Sequence, residues 1–219
     1  MSVPKIIHHI WIGSSELPEN VKKCIESSNF QNKDYQHILH TDCDYNILPP
    51  FIKYCYDKQL WAFVSDYLRF KYLFEDGGIY LDTDMYVLRD FSDFLDADFF
   101  SGYNREKSHI YCGIIGCEPG NSIALQAMKF YENYNSFDLI TSPEVLSKVF
   151  YEYKTLQSKI YSSNFFYPIS SEESYDILDL HSSYTTHLWD ESWVKFVGLR
   201  RVLRRLGIIR CYHKLKKCI

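Results

Sequence analysis

The chain has 219 residues, of which 46% are hydrophobic and 17% aromatic, so it is long enough for one compact domain with a substantial core. The formal net charge of -4 hides an asymmetry, because residues 195–217 hold nine Lys or Arg and no acid. The rest of the chain has 15 of the 24 basic residues against all 28 acidic ones. Such an acidic body argues against general nucleic-acid binding and favours an anionic surface as the partner of the basic segment.

The first half of the chain alternates strand and helix patterns. Residues 5–12 form an apolar run, which predicts a first strand buried on both faces of a parallel sheet. An apolar stripe over 18–28 predicts a helix, and 35–41 reads as a second strand. A short helix is expected to start at Pro49-Pro50.

Residues 61–90 carry the most informative pattern. Their first half contains no Gly or Pro and is crowded with large apolar residues, which predicts a helix buried on most sides. Asp66 and Arg69 are three residues apart and therefore share one face of that helix. Gly77-Gly78 is expected to end it, because glycine readily takes the positive φ that closes a helix.

A short apolar strand over residues 79–81 leads into Asp82-Thr83-Asp84. In an extended Asp-x-Asp the first and third side chains point to the same side, so two carboxylates can converge on one divalent cation. Such a cation completes its shell with water and phosphate oxygens, and open α/β sheets bind ligands at strand ends. The pattern favours a metal site for a nucleotide diphosphate, with a solvated turn as the alternative.

The segment around these acids resembles the DXD signature of glycosyltransferase family 32, including capsular polysaccharide enzymes, and of the clostridial toxin glucosyltransferase domains. The shared elements are Ser-Asp, two residues, Arg, and then Gly-Gly-x-Tyr-x-Asp-x-Asp. The resemblance implies an α/β fold of GT-A type, a single domain over 1–193 with helices flanking a Rossmann-like, mostly parallel central sheet. It also implies a retaining transferase that uses Mn²⁺ or Mg²⁺ and a UDP- or GDP-hexose donor.

The same resemblance assigns roles to the acidic and basic residues of the motif. Asp82 and Asp84 would bind the metal, and His187 would be a third ligand, with a structural histidine as the alternative. Asp66 and Arg69 would contact the donor sugar, and Arg69 could stabilise the leaving group. These four motif residues, Asp66, Arg69, Asp82 and Asp84, are the predicted catalytic set.

Further donor contacts also follow from the resemblance. Trp11 would stack on the nucleotide base, although a core tryptophan is the alternative. Tyr80 would line the site, and Ser192 and Trp193 would close over the diphosphate. Cys112 stands where the family usually has Asn, which puts a sugar contact from that position in doubt.

The second half of the chain continues the mixed pattern, and beyond residue 161 it becomes irregular and aromatic. Strands are predicted over 85–88, 99–103 and 109–117, a turn or short helix over 91–95, and helices over 122–134 and 142–157.

Residues 194–219 are expected to form a basic amphipathic helix. Leu199, Val202, Leu203 and Leu206 make one apolar stripe, and arginines occupy the other side. Such a helix can lie on an anionic membrane; packing of the stripe on the catalytic domain is the alternative. The chain has no signal peptide pattern and no transmembrane run, and its seven cysteines include no C-x-x-C pair. We therefore expect a cytoplasmic protein, peripheral at the inner face of the cell membrane.

The function expected from the sequence is hexose transfer to a glycan or lipid-linked oligosaccharide acceptor in bacterial surface polysaccharide synthesis. Two other classes stay open. One is a different Asp-x-Asp metal enzyme that acts on phosphoryl or nucleotidyl groups. The other is a catalytically inactive module that binds nucleotide sugars.

Overall fold

The computed structural model describes residues 2–13, 16–169 and 182–189. Within these ranges the chain forms α-helices, strands and two short 3-10 helices. The strands are β1 (Ile6–Ile10), β2 (Gln36–His40), β3 (Gly78–Leu81), β4 (Met85–Val87), β5 (Phe99–Tyr103), β6 (Ile110–Cys117), β7 (Ser158–Tyr161) and β8 (Thr185–His187). The helices are α1 (Glu19–Gln31), α2 (Pro50–Asp57), α3 (Trp61–Asp76), α4 (Ser122–Glu132), α5 (Ser142–Tyr153) and α6 (Ser163–Phe166), with 3-10 turns at Tyr45–Ile47 and Ser92–Phe94.

Six strands make one central sheet in the order β2-β1-β3-β6-β5-β7. β1 runs parallel to β2 and β3, and β5 runs parallel to β7, whereas β6 is antiparallel to both of its neighbours. β4 and β8 pair separately as an antiparallel ribbon. The prediction of a mostly parallel sheet flanked by helices is confirmed.

The four inner strands of the sheet, β1, β3, β6 and β5, are mostly buried, as their apolar sequences predict, whereas the edge strands β2 and β7 are partly exposed. Along β3, Tyr80 belongs to the core that contains α2 to α5, while Ile79 and Leu81 belong to a second core with Met85. This alternation follows from the two-residue side-chain period of a strand. The buried sheet therefore holds the end of β3 in a fixed place.

Two glycines shape the junction between α3 and β3. Gly77 has φ +65° and Gly78 has φ +94°. A Cβ on Gly77 would lie 2.6 Å from the Pro119 nitrogen, and one on Gly78 would lie 2.6 Å from the Ile6 carbonyl oxygen. Any side chain at either position would strain the backbone and clash, so the chain turns directly from the central helix into the central strand.

The predicted helix over 142–157 is too long, and β7 was not foreseen. α5 ends at Tyr153, and residues 158–161 join the sheet beside β5. The cause is a side chain at the start of β5: the Asp98 carboxylate accepts hydrogen bonds from the Thr155 and Ser158 hydroxyls. These bonds turn the chain back toward the sheet edge.

The predicted C-terminal helix over 194–219 lies outside the described residues. Among the helices of the described ranges, none combines the length and the apolar character needed to span a bilayer.

Candidate functional site

The two acids of the Asp-x-Asp motif follow β3 in a turn, and the extended geometry expected for them is wrong. The Met85 N–H donates to the Asp82 carbonyl at 3.1 Å, and this bond closes the turn. The Asp82 N–H donates to the Gly113 carbonyl on β6 at 2.8 Å, which fixes the turn to the sheet. The two carboxylates still lie close together, but the turn brings them there and not the alternation of side chains along a strand.

His187 joins the two acids through the β4–β8 ribbon. Its register places His187 opposite Met85, the residue directly after Asp84. The His187 Nε2 atom lies 3.1 Å from Asp84 Oδ1 and 4.0 Å from Asp82 Oδ2. One ligand atom from each of the three residues lies within 4.8 Å of the others.

This donor set fits a divalent cation. Two carboxylate oxygens and one imidazole nitrogen suit Mn²⁺ better than Mg²⁺, which prefers oxygen ligands alone. The side chains are partly exposed, with 27%, 19% and 13% of their surface open at Asp82, Asp84 and His187. Gly113 leaves room beside them, because a Cβ there would lie 3.3 Å from Asp82 Oδ2. Space and exposure leave access for oxygens of a ligand.

A buried ion pair on α3 lies beside the acids. Asp66 Oδ1 is 2.7 Å from Arg69 NH2, as the spacing of three residues predicts. Only 8% of Asp66 and 5% of Arg69 is exposed. Arg69 NH1 lies 3.6 Å from Asp82 Oδ1, so the guanidinium connects the helix to the acidic turn.

The Arg69 side chain is held by contacts with β6, with its own helix and with Tyr80. It donates to the Cys112 carbonyl at 2.9 Å and to the Ser65 carbonyl at 3.2 Å, and its Cζ atom lies 4.5 Å from the centre of the Tyr80 ring. Burial opposes its charge, but the neighbouring carboxylates of Asp66 and Asp82 hold the pKa of Arg69 well above its ordinary value. The site therefore keeps a permanent positive charge next to Asp82.

Tyr80 supports the first acid of the motif directly. Its hydroxyl donates to Asp82 Oδ1 at 2.5 Å. Burial raises the pKa of Tyr80 well above 10, so the hydroxyl keeps its proton and remains a donor. Tyr80 thus orients the oxygen of Asp82 that faces Arg69, while Oδ2 faces His187.

Asp66 is held from a second helix, which sequence reasoning did not foresee. The Ser142 hydroxyl donates to Asp66 Oδ1 at 2.6 Å, and the Ser142 N–H donates to Oδ2 at 3.2 Å. Burial raises the pKa of Asp66, while Arg69 and Ser142 act in the opposite direction. The Ser142-Pro143 start of α5 was a possible signal, because free N–H groups at a helix start can bind a carboxylate.

The remaining predicted donor residues divide into two groups. Trp11 follows β1 at the same carboxyl edge of the sheet as Asp82, and its backbone N–H donates to the His40 carbonyl at 2.8 Å. Its indole Nε1 is buried, and no acceptor for it is found among the described residues. Ser192 and Trp193 lie outside the described residues. Cys112 is buried, and its carbonyl accepts a hydrogen bond from Arg69.

A curated relative and a solved structure resemble this chain. The uncharacterized glycosyltransferase L373 of Acanthamoeba polyphaga mimivirus is 30% identical over 131 residues, which are 55% of this chain and 52% of the relative. The chain thus matches about half the length of that protein. The structure of PaToxG glycosyltransferase covers 69% of each chain with a TM-score of 0.56 and 21% identity, a likeness of fold. The GT-A-type fold expected from the sequence is confirmed.

The model of a protein family covers nearly the whole chain. It is described as capsular polysaccharide synthesis protein, and it matches residues 2–192, which include the acidic turn, the buried ion pair and His187. The resemblance to capsular polysaccharide glycosyltransferases predicted from the motif agrees with this match. The chain belongs to the capsular polysaccharide synthesis protein family.

Proposed function

We propose that the protein is a metal-dependent, retaining glycosyltransferase that moves a hexose from a UDP- or GDP-sugar to a glycan or lipid-linked oligosaccharide. Its setting would be the synthesis of a bacterial surface polysaccharide. The observation that carries the proposal is the junction of two clusters: the possible metal ligands Asp82, Asp84 and His187, and the buried Asp66–Arg69 pair, 3.6 Å from Asp82. Family membership and the glycosyltransferase relatives support the same reaction class.

Asp82, Asp84 and His187 would hold Mn²⁺ or Mg²⁺, with Mn²⁺ favoured by the imidazole. When bound, such an ion neutralises negative charge on the diphosphate leaving group. Tyr80 donates to Asp82 Oδ1, which leaves Oδ2 on the side of His187. The protein thereby prepares its ligand atoms before a donor arrives, which lowers the cost of ordering them on binding.

Arg69 and Asp66 would position the hexose. The guanidinium is fixed by its backbone acceptors and carries a permanent charge, so it suits an anionic oxygen close to the sugar. Trp11, at the same sheet edge, would stack on the base, and Ser192 and Trp193 would close over the diphosphate by family resemblance.

The proposal that the sugar keeps its anomeric configuration rests on the hydrogen bonds that Asp66 accepts. A carboxylate that accepts bonds from Arg69 and twice from Ser142 suits a binding role better than attack on the sugar. The acceptor hydroxyl would instead attack from the side of the leaving group, in a front-face displacement. The departing phosphate would then receive the proton of that hydroxyl.

The basic segment 194–219 would hold the enzyme at an anionic membrane, where a lipid-linked acceptor resides. Each Lys or Arg near such a surface contributes on the order of 1 kcal/mol, so nine basic residues in this segment suffice for binding at low salt. The full chain should sediment with anionic vesicles at low salt and stay in solution at high salt, while a chain ending at Lys195 should not sediment. If the full chain ignores anionic vesicles, the segment has another role.

A panel of nucleotide sugars tests the reaction. Purified protein is incubated with UDP-glucose, UDP-galactose, UDP-N-acetylglucosamine and GDP-mannose in Mn²⁺, and release of free hexose is measured. One donor should be hydrolysed slowly, and Asp84→Asn should remove this activity while Asp96→Asn, an exposed acid outside the cluster, should retain it. Binding of a donor with no turnover would favour an inactive module, and cleavage of nucleotides that carry no sugar would favour another metal enzyme.

A further inference from the structure

α5 is attached to α3 at the point where the proposed donor sugar would bind. Its first residue, Ser142, is 3% exposed and contacts Asp66 through both its hydroxyl and its backbone N–H. The bond from the hydroxyl is 2.6 Å long, which is typical of a bond between a hydroxyl and an ionised carboxylate. Ser142 and Asp66 are 76 residues apart in the sequence, so this is a tertiary contact between two helices.

At the start of α5, the neighbouring residues leave the hydroxyl and N–H groups of Ser142 for Asp66. The Thr141 N–H and hydroxyl are taken by Glu144 Oε2, at 2.9 and 2.8 Å. The N–H of Ser142 lies in the first turn, where a helix has no internal acceptor for it. Pro143 follows and has no N–H. Both donors of Ser142 thus reach Asp66, and the Cys112 thiol also lies within hydrogen-bonding range of the Ser142 hydroxyl.

The hydrogen bonds of Asp66 leave one direction open. A carboxylate has about four acceptor positions, two on each oxygen. Oδ1 accepts from the Ser142 hydroxyl and lies 2.7 Å from Arg69 NH2, and Oδ2 accepts from the Ser142 N–H. Among the described residues one position on Oδ2 has no donor, and 11% of the side chain is open to solvent. A ligand hydroxyl can donate to Asp66 at that position.

We propose that Ser142 is a positioning residue for recognition of the donor sugar: it holds Asp66 so that one acceptor position faces a single hexose hydroxyl. This inference rests on the proposed function, because it needs a hexose at Asp66. Without the Ser142 hydroxyl, Asp66 loses its shortest hydrogen bond and keeps the Arg69 contact on Oδ1 and the 3.2 Å bond from the backbone N–H on Oδ2, so the carboxylate is oriented less tightly. The sugar would lose a preset partner, whereas the nucleotide would not.

Two alanine variants separate positioning from stability. Ser142→Ala removes the bond to Asp66, and Ser147→Ala, on the same helix, removes the 2.9 Å bond from the Ile110 N–H to the Ser147 hydroxyl. Both delete one serine hydroxyl from α5, but only Ser142 contacts Asp66. Ser142→Thr keeps a hydroxyl at the critical position, and Ser142→Gly supplies a second deletion if the alanine variant does not fold.

The measurement is the contribution of the sugar to binding in the presence of Mn²⁺. It is taken as the Kd of the nucleotide divided by the Kd of the matching sugar nucleotide. Calorimetry gives Kd for UDP and UDP-glucose, and for GDP and GDP-mannose. The pair with the larger wild-type ratio is the probe. We expect Ser142→Ala to reduce that ratio about 10-fold, as for the loss of a hydrogen bond to a charged group, while Kd for the nucleotide alone stays within two-fold. Ser147→Ala and Ser142→Thr should keep the ratio.

Three results would overturn the inference. An unchanged ratio in Ser142→Ala rejects the positioning role and leaves the proposed function standing. An equal fall in Ser147→Ala shows a general effect of α5 stability and rejects it as well. If the wild-type chain binds neither sugar nucleotide more tightly than its nucleotide, and hydrolyses no donor, the proposed function and this inference fail together.

Discussion

Replacing Arg69 with lysine should destabilise the fold even though the charge is kept. The guanidinium donates to the carbonyls of Cys112 and Ser65 and to the Ser65 hydroxyl, and pairs with Asp66 at 2.7 Å. A lysine ammonium is a point charge on a flexible stem and cannot reproduce this fork. At least two of the four contacts should be lost, at about 1–2 kcal/mol each, so the free energy of unfolding should fall by about 2–4 kcal/mol. For a domain of this size the melting temperature should fall by roughly 5–15 °C.

Urea unfolding and thermal melting measure this loss, and donor hydrolysis at a temperature where the variant is folded measures the functional part. Arg89→Lys is the matched control, because Arg89 is exposed and its change should stay within about 0.5 kcal/mol. We expect folded Arg69→Lys to lose most turnover as well as stability. Wild-type stability in Arg69→Lys would refute the view that the fork holds α3 to β6. Wild-type turnover of the folded variant would show that the pair is only structural.

Two further changes test other parts of the structure. Gly113→Ala should cost about 1–2 kcal/mol of stability and so lower the melting temperature by several degrees. It should also weaken Mn²⁺ binding, because the new Cβ would crowd Asp82 Oδ2 at 3.3 Å. An unchanged Mn²⁺ titration would contradict this second effect. Burial lowers the pKa of His9 from 6.5 to about 4, so as the pH falls His9 is protonated in the unfolded chain before it is protonated in the folded chain. The free energy of unfolding should therefore decline between pH 6.5 and 4, by up to about 3 kcal/mol. His9→Asn, which can still donate to the Leu81 carbonyl, should flatten this decline in urea unfolding, and an equally steep decline would assign it to other groups.

Much of the fold follows from local sequence patterns. The uninterrupted apolar window and Gly77-Gly78 predict the central helix and its end, and the structure has the helix at Trp61–Asp76, followed by positive φ angles at both glycines. The spacing of Asp66 and Arg69 predicts that they share one helix face, because three residues nearly complete a helical turn, and there they form an ion pair. These features depend on neighbours in the chain, and such neighbours are visible in a sequence.

Other features depend on contacts between distant segments, which local periodicity does not contain. β7 was missed because Asp98, about 60 residues earlier in the chain, draws residues 155–158 out of the helical pattern. The bond between Ser142 and Asp66 is of the same kind. His187 was reached only through family resemblance, since its position depends on the pairing of β8 with β4.

The geometry of the motif shows the same limit. Two acids separated by one residue suggested convergence through an extended strand, but a turn closed by the Met85 N–H brings the carboxylates together. A strand and a turn can both place Asp82 and Asp84 near one point. The spacing therefore predicts the possible metal site without determining the backbone that makes it.

The central claim is that Asp82, Asp84 and His187 bind a divalent cation that is shared with a nucleotide diphosphate. Titration of the protein with Mn²⁺, followed by electron paramagnetic resonance of the free ion, tests it most directly. We predict one Mn²⁺ site, bound more tightly when UDP or GDP is present, lost in Asp84→Asn and retained in the exposed control Asp96→Asn. Mn²⁺ binding that is absent, or that survives unchanged in Asp84→Asn, would contradict the claim.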